Sequence, residues 1–265
     1  MTIRPIKSLG QSFLIHEPTA DALIAALELK PDDTVIEIGP GKGILTKRLI
    51  RACNNVIAVE IDYRLVCYLE AEIGESPNLK IVHQDFLKFD LNKFNDAKII
   101  GNLPYNISSP IIFRLLDNIS YWQRAVLTTQ REFAEKVLLP AGTKGSGVLT
   151  VLCEYLCTRR RLFNIPPRFF KPSPKVISTA FTLMKRPSPA VAISHPEFFY
   201  KLINAAFTPQ PRKRLINNIA LNLGINKEIL KNIFVQLNLP LDARAKDLTL
   251  NQFALIADVL FPYSQ

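Results

Sequence analysis

The chain has 265 residues, of which 48% are hydrophobic and 21% charged, which excludes an intrinsically disordered protein and allows a sizeable core. No apolar run approaches the roughly 20 residues of a membrane-spanning helix, and no signal-peptide pattern opens the sequence, so we expect a cytoplasmic protein. A net charge of +10 favours a polyanionic partner, nucleic acid ahead of membrane, with a basic but merely soluble protein as the alternative. The spacing of the cysteines and histidines predicts no metal site.

Strand and helix patterns alternate through the first part of the chain. A helix over 18–29 comes first, and the apolar spacing then predicts strand 34–38, helix 44–52, strand 55–60, helix 63–73, strand 79–83, strand 98–101, helix 108–117, strand 124–130 and helix 131–139. Such alternation is typical of βαβ units, and it predicts a parallel sheet with right-handed crossovers. Further along, Cys153 and Cys157 are four residues apart, a spacing that predicts two thiols on one helix face.

The pattern changes near Pro187. Arg186-Pro187-Ser188-Pro189 is typical of a linker, and the residues beyond it show only helical spacing. Four helices are predicted there, around Phe199–Ala206, Ile216–Leu223, Ile229–Leu237 and Phe253–Leu260, the last opened by a capping box at Thr249–Gln252. We therefore predict an α/β domain over 1–186 and a small helical domain over 187–265.

A glycine-rich turn follows the first strand of the α/β alternation. The segment Glu37-Ile38-Gly39-Pro40-Gly41-Lys42-Gly43 has alternate glycines, whereas the dinucleotide fingerprint is G-x-G-x-x-G. Glu60 ends the next strand, where a carboxylate can accept hydrogen bonds from both ribose hydroxyls. Asp85 follows the third strand and is placed to accept from an adenine amino group. These features predict a nucleoside cofactor; S-adenosylmethionine fits all of them, and NAD would need the other glycine spacing.

The tetrapeptide Asn102-Leu103-Pro104-Tyr105 comes directly after another buried strand. Such a sequence suits the methylation of an exocyclic amino group. The Asn102 side-chain oxygen and the Pro104 carbonyl would accept both N6 hydrogens of an adenine and localise its lone pair. Tyr105 would stack on the base. The alternative is an ordinary proline-initiated turn with a surface aromatic.

Basic residues cluster in the second half of the chain, at Arg159–Arg161, at Arg168, Lys171 and Lys175, at Lys185–Arg186, and at Arg212–Arg214. Clustered cations can orient a nucleic acid through its phosphates without reading its sequence. A solvated surface is the alternative for the Arg159–Arg161 run.

On these motifs the chain resembles the KsgA/RsmA family of ribosomal RNA adenine dimethyltransferases, nearly end to end. Besides E-I-G-P-G-K-G and N-L-P-Y-N-I-S, it has Gly10-Gln11-Ser12-Phe13-Leu14, where the family has G-Q-N-F-L. It also has Phe170-Lys171-Pro172-Ser173-Pro174-Lys175-Val176, matching F-x-P-x-P-K-V. The resemblance implies a Rossmann-like class I S-adenosylmethionine-dependent methyltransferase fold with a small C-terminal all-helical domain. It also implies N6,N6-dimethylation of two adjacent adenosines in the 3′-terminal hairpin of 16S rRNA, during 30S biogenesis.

The resemblance also implies site residues and partners. The catalytic positions would be Asn102, Pro104, Tyr105 and Phe170, with Tyr105 and Phe170 sandwiching the target base; alternatively, Phe170 is a packing residue. The cofactor contacts would fall at Gln11, Ser12, Leu14, Gly39, Gly41, Glu60, Ile61, Asp85, Phe86 and Asn102. The expected partner is small-subunit ribosomal RNA in a 30S precursor particle. We expect no metal, no membrane contact, and a monomer.

Some positions depart from the family pattern. Ser12 stands where asparagine is usual, Pro209 and Pro211 interrupt an F-x-Q-R-R-K segment, and Lys246 replaces an acidic residue. Two other functions stay open at this point. One is an Erm-type 23S rRNA adenine methyltransferase, and the other is a non-enzymatic ribosome-assembly factor on the same fold.

Overall fold

The computed structural model describes residues 3–6, 9–208 and 213–263. Contacts divide the chain into two compact units, one of Met1–Glu135 with Thr158–Lys185 and the other of Lys136–Cys157 with Arg186–Gln265. This division differs from the predicted domains, 1–186 and 187–265, mainly in the segment Lys136–Cys157. That segment contains a helix that contacts two C-terminal helices, so it packs with the second unit.

The first unit is built on a seven-stranded sheet. Its strands, in sheet order, are β4 Leu79–His83, β3 Asn55–Glu60, β2 Thr34–Ile38, β5 Ala97–Asn102, β6 Trp122–Gln130, β9 Ser178–Lys185 and β7 Cys157–Ile165. The strands β4, β3, β2, β5 and β6 are parallel, whereas β9 pairs antiparallel with β6. The predicted parallel sheet is confirmed for these five strands, and the unpredicted β9 makes the whole sheet mixed. Two short strands, β1 Phe13–Leu14 and β8 Phe170–Lys171, form a separate antiparallel pair.

The helices of the first unit follow the predicted alternation. They are α1 Glu17–Ala25, α2 Thr46–Ala52, α3 Tyr63–Ile73, α4 Ser108–Asp117 and α5 Arg131–Leu138, whose last three residues enter the second unit. α1 ends four residues before the predicted position, and Glu28 just beyond it has a positive φ of 52°, which a continuing helix cannot contain. α3 matches its predicted bounds, since the Asp62 side chain caps its start and Gly74 follows its end.

The strand order places the functional site. Apolar residues of β2 and β5, such as Ile36 and Ile99, are fully buried at the centre of the sheet. The strand order reverses between β2 and β5. From β2 the chain continues to β3 and β4 on one side of the sheet, whereas β5 and β6 lie on the opposite side of β2. The carboxyl ends of neighbouring parallel strands at such a reversal form the crevice in which α/β proteins bind ligands.

The second unit is helical. It contains α6 Val148–Leu156, α7 Pro196–Phe207, α8 Leu215–Leu223, α9 Lys227–Gln236 and α10 Leu250–Leu260. The predicted capping box is present, with Thr249 and Gln252 bonded reciprocally at the start of α10. Cys153 lies in α6, but Cys157 begins β7, so the prediction of a shared helix face was wrong; both thiols are buried.

Three positions discussed above, Pro209, Pro211 and Arg212, lie outside the described residues. Within the described ranges, no helix is long and apolar enough to cross a membrane. The same ranges contain no cluster of His, Cys, Asp and Glu side chains that could hold a metal ion.

Candidate active site

A cavity lies at the carboxyl ends of β2, β3 and β5. All ten predicted cofactor-binding residues line it, together with Pro104 and Tyr105. Phe170 does not line it. Other lining residues were not predicted, among them Leu9, Phe13, Glu37, Leu65, Leu103, Ile107 and Ile111.

The glycine turn after β2 forms one wall. Gly41 has a φ of +58°, and a Cβ added to it would lie 2.8 Å from the Phe13 ring. Only glycine fits there, because both the backbone conformation and the aromatic ring exclude a side chain. The backbone N–H of Gly41 donates a hydrogen bond to Oε2 of Glu60 over 3.2 Å. The turn and the end of β3 are thereby held together.

Glu60 contributes a buried carboxyl group to the cavity. Its side chain is at the end of β3, and the residue is 4% exposed. The N–H of Asp62 donates to Oε1 over 3.0 Å, in addition to the Gly41 bond to Oε2. Burial raises the pKa of this carboxyl, and the backbone donors partly oppose that effect. Each oxygen keeps acceptor capacity, which suits hydroxyl donors from a ligand.

A second buried carboxyl, Glu37, faces the same cavity. The hydroxyl of Thr46 donates to its Oε2 over 2.7 Å, and Glu37 is 1% exposed. Burial, reinforced by the nearby charge of Glu60, raises the pKa of Glu37 to about 8. Glu37 is therefore mostly protonated at neutral pH. It opens the glycine-rich segment in the sequence, which was the available signal for its place in the site.

Asp62 stabilises the site through hydrogen bonds to neighbouring residues, and this role was not predicted from the sequence. It accepts hydrogen bonds from the Arg64 guanidinium and from Nε2 of Gln11, the latter over 2.9 Å. The Arg64 hydrogen bond lowers the pKa of Asp62 to about 2, so this carboxyl stays ionised. The Gln11 oxygen accepts from the N–H of Ile6 over 2.7 Å. The Gln11 amide is thus used within the protein. The sequence signal for Asp62 is its own position directly before α3, where an aspartate caps a helix.

Residues Gly10–Leu14, here called the strap, line the cavity. Gly10 has a φ of +61°, and a Cβ there would lie 2.8 Å from Oδ1 of Asn106. At its other end the strap forms β1, in which Phe13 pairs with Lys171 and Leu14 with Phe170. The motif G-Q-S-F-L therefore contacts both the N-L-P-Y-N segment and the F-K-P segment. Three segments far apart in the sequence meet at one site.

Asn102 is held in a defined orientation at the end of β5. Its Nδ2 donates to the backbone carbonyl of Ser12 over 2.8 Å. The N–H of Leu103 donates to the Thr128 carbonyl over 2.9 Å, which fixes the backbone beside it. Because the amide nitrogen is committed to Ser12, Oδ1 is left as the acceptor for a ligand.

The Pro104 carbonyl is already used within the chain. It accepts from the N–H of Ile107 over 3.2 Å and from Oγ of Ser108 over 3.0 Å. Two donors engage both lone pairs of a carbonyl oxygen. No described residue donates to the carbonyl of the neighbouring Leu103, and Leu103 also lines the cavity. The Leu103 carbonyl is therefore an alternative to the predicted Pro104 carbonyl as the backbone acceptor.

Tyr105 and Asp85 are both tied to the protein by one polar group. The Tyr105 hydroxyl shares a hydrogen bond of 2.8 Å with Oγ of Ser178 at the start of β9, which orients the ring. Burial raises the pKa of this phenol. Asp85 caps a short 3₁₀ turn by accepting from the N–H of Leu87 over 2.9 Å, and the adjacent Phe86 is buried. Both residues line the cavity.

Phe170 is a core residue in this structure. It is 3% exposed and packs in a cluster that contains Leu14 and Ile165. Its pairing with Leu14 in the β1–β8 ladder places these two side chains next to each other. The packing alternative describes this position of Phe170, and the sandwich of Tyr105 and Phe170 around a base stays a prediction.

The family model described as "Ribosomal RNA adenine dimethylase" matches residues 4–259. The chain belongs to this family. A relative from Clostridium botulinum (strain Kyoto / Type A2), named ribosomal RNA small subunit methyltransferase A, is 34% identical over 96% of this chain and 94% of its own. A relative of the same name from Bacillus cytotoxicus is 32% identical over 97% of this chain and 91% of its own.

Two solved structures share the fold. A dimethyladenosine transferase from Plasmodium falciparum superposes with a TM-score of 0.80 at 26% identity, covering 95% of this chain and 98% of that protein. The 23S rRNA methyltransferase ErmE superposes with a TM-score of 0.72, also at 26% identity, covering 92% of this chain and 98% of that protein. The first unit thus has a Rossmann-like methyltransferase fold, and the match to the family model extends over the helical C-terminal region.

Proposed function

We propose that the protein is a 16S rRNA adenine N6,N6-dimethyltransferase. It transfers methyl groups from S-adenosylmethionine to two adjacent adenosines in the 3′-terminal hairpin of small-subunit rRNA, in a 30S precursor particle. The observation that carries the proposal is the Asn102 amide, which is held through Nδ2 by the Ser12 carbonyl and lines the same cavity as Glu60.

The cavity fits an adenosine-containing methyl donor. Glu60 is a buried carboxylate with acceptor capacity to spare, and it matches two ribose hydroxyls. Asp85 would accept from the adenine amino group, and Ile61 and Phe86 would contact the ring. The glycine turn and the backbone of the strap would hold the remainder of the molecule. When bound, S-adenosylmethionine supplies an electrophilic methyl group; the steps described next belong to the protein.

The protein activates the target nitrogen by accepting its hydrogens. The N6 lone pair of adenine is delocalised into the ring, which makes the nitrogen a poor nucleophile. Oδ1 of Asn102 and the Leu103 carbonyl would accept the two N6 hydrogens, localise the lone pair and aim it into the cavity. Both acceptors are fixed before the substrate arrives, so they stabilise the developing charge with little reorganisation.

Tyr105 would support the extracted base. Its ring lines the cavity next to Asn102, and Ser178 holds its hydroxyl. Stacking on an aromatic ring is how proteins hold unpaired bases, and it tolerates the loss of neighbouring base contacts. With Phe170 in the core, Tyr105 supplies the stacking surface in this conformation.

The choice of substrate rests on the relatives and on charge. Both curated relatives described above carry a small-subunit name at 32–34% identity over nearly the full chain, whereas the Erm structure is 26% identical. The basic clusters would bind RNA phosphates, with the 1–186 region carrying the chemistry and the 187–265 region contributing to RNA binding. The protein would act as a monomer.

Labelled S-adenosylmethionine and isolated ribosomal particles test the proposal. The protein, incubated with 30S or 50S particles lacking the modification, should label only the 30S RNA, and digestion should give N6,N6-dimethyladenosine. Asn102→Ala serves as the inactive control. Label in 50S RNA would support the Erm-type alternative, and binding to 30S particles without label would support the assembly-factor alternative.

A further inference from the structure

Ser12 makes two hydrogen bonds, one as an acceptor and one as a donor. Its backbone carbonyl accepts from Nδ2 of Asn102 over 2.8 Å. Its own hydroxyl donates to the Pro172 carbonyl over 2.9 Å. One residue of the strap therefore touches both the amide that would bind the target nitrogen and the segment that follows β8.

The strand register places Ser12 beside the segment that follows β8. Phe13 pairs with Lys171, and the N–H of Ile15 donates to the Phe169 carbonyl over 2.9 Å. Ser12 and Pro172 flank the last pair of this ladder, and there the Ser12 hydroxyl reaches the Pro172 carbonyl. The Ser12 carbonyl is bonded to Asn102 and not to β8.

The segment beyond Pro172 has the properties of a surface for a polyanion. Lys171 and Lys175 are exposed, and neither takes part in an ion pair within the described ranges. Val176 and Ile177 are 41% and 36% exposed. The segment ends at Ser178, which bonds the hydroxyl of Tyr105. Lys171–Ile177, here called the substrate loop, is therefore tied at each end to a residue of the site.

We propose that Ser12 is a positioning residue that couples the substrate loop to the Asn102 amide. RNA phosphates that bind Lys171 and Lys175 would fix the loop, and the Ser12 hydroxyl would carry that restraint to the strap. The Ser12 carbonyl then holds Asn102 with Oδ1 facing the target nitrogen. The proposal rests on the proposed function for the identity of the substrate, but the coupling itself is a property of the folded chain.

Three variants test the hydroxyl in single-turnover methylation with saturating S-adenosylmethionine and 30S particles. Ser12→Ala should lower the rate by about 2- to 10-fold, the range that corresponds to one neutral hydrogen bond. Its affinity for S-adenosylmethionine, measured by calorimetry, should stay within about 2-fold of wild type, since the backbone and register are kept. Ser12→Thr should restore the rate. Ser120→Ala, an exposed serine at the amino end of β6, is the matched control and should equal wild type.

A wild-type rate for Ser12→Ala would overturn the proposal. So would a loss of cofactor affinity as large as the loss of rate, because the hydroxyl would then act on the cofactor and not on Asn102. The proposal would also be overturned if Ser12→Thr lowered the rate as much as Ser12→Ala. The hydroxyl donor would then not determine the rate of methylation.

Hydrogen exchange tests the coupling without any catalysis. Asn102→Ala removes only the bond to the Ser12 carbonyl, and it should speed exchange in peptides that cover Lys171–Ile177. Ser12→Ala should speed exchange both there and in peptides that cover 102–107. Unchanged exchange in the substrate loop of Asn102→Ala would show that the two ends are independent. If wild type fails to label 30S RNA, the proposed function fails, and this exchange measurement still decides the coupling.

Discussion

Thr46 donates its hydroxyl hydrogen to Glu37 over 2.7 Å, at a point where neither side chain reaches water. Burial raises the pKa of Glu37 to about 8, from an ordinary value of 4.5. As pH rises, the unfolded chain therefore loses this proton before the folded protein does. The free energy of unfolding is highest below pH 4.5 with respect to this group, and it falls as pH rises towards 8.

We expect Glu37→Gln to remove much of that pH dependence. Glutamine keeps an oxygen for Thr46 and has no proton to lose. The variant should be close to wild type at acidic pH and more stable than wild type at pH 9, by about 1.4 kcal/mol for each unit of pKa difference removed. Urea unfolding at pH 5, 7 and 9 measures this. Glu60, whose pKa is also raised, should leave a smaller slope of the same sign. Equal slopes in variant and wild type would show that Glu37 ionises normally when folded.

Glu60→Gln should weaken the binding of S-adenosylmethionine by about 1.5–3 kcal/mol, the scale for hydrogen bonds to a charged acceptor. The substitution keeps the size of the side chain and one acceptor for the Gly41 or Asp62 N–H. Calorimetric titration gives the affinity, and circular dichroism checks the fold. Glu75→Gln, on an exposed loop, is the control. Unchanged affinity in Glu60→Gln would remove this residue from the cofactor site.

Asn102→Ala should lower turnover far more than RNA affinity. The removed oxygen would bind more strongly as N6 becomes tetrahedral, so its loss acts on the transition state. Single-turnover rates at saturating cofactor and RNA, together with filter binding, separate the two effects. The exposed Asn92→Ala is the control. A near-normal rate for Asn102→Ala would contradict the proposed role.

Tyr105→Phe and Tyr105→Ala should differ clearly. Phenylalanine keeps the ring and loses only the bond to Ser178, so its methylation should fall modestly, and Ser178→Ala should match it. Alanine removes stacking worth about 1–3 kcal/mol per base, and methylation should fall accordingly. If both Tyr105 variants lose activity equally, orientation by Ser178 matters more than the stacking surface.

Neutralising Arg212, Lys213 and Arg214 together should weaken binding to the small subunit and flatten its dependence on salt. Each lost phosphate contact should reduce the slope of log affinity against log salt by about 1. Lys213 and Arg214 are exposed at the start of α8. The double change Lys227→Gln and Lys231→Gln on α9 is the control. An unchanged slope would show that these residues do not face the RNA.

The regular elements of the fold were predictable where periodicity and capping agreed. β2, β3, β4 and α3 have the predicted bounds, because apolar runs of five or six residues are closed by turn signals and Asp62 caps α3. β7 and β9 were missed, and of α6 only a helix around Cys153 was predicted. β9 is buried along most of its length, so it shows no alternation of apolar and polar residues to reveal it. β1 and β8 are two residues each, and only their mutual pairing makes them strands.

The residues of the site likewise divide into those that the sequence predicts and those that it does not. Glu60 and Asn102 were predictable because each ends a strand next to β2, and the carboxyl ends of neighbouring parallel strands lie at one edge of the sheet. The hydrogen bond to the Pro104 carbonyl was not predictable. Its donor Ser108 is the first residue of α4 and the N-cap residue is Ile107, so no capping pattern indicates this bond. The burial of Phe170 depends on its pairing with Leu14 more than 150 residues earlier, and no local pattern records such a contact.

The bond between Ser12 and Pro172 spans 160 residues, which has a consequence for synthesis. A nascent chain can begin to form β2, β3, β4 and their helices while it is still short, but its strap cannot pair with β8 or bond Pro172 until those residues have left the ribosome. Contacts of such high sequence separation form late, because the entropy of closing the loop is lost before the contact contributes. During synthesis the strap thus lacks its β8 partner until most of the first unit has been made.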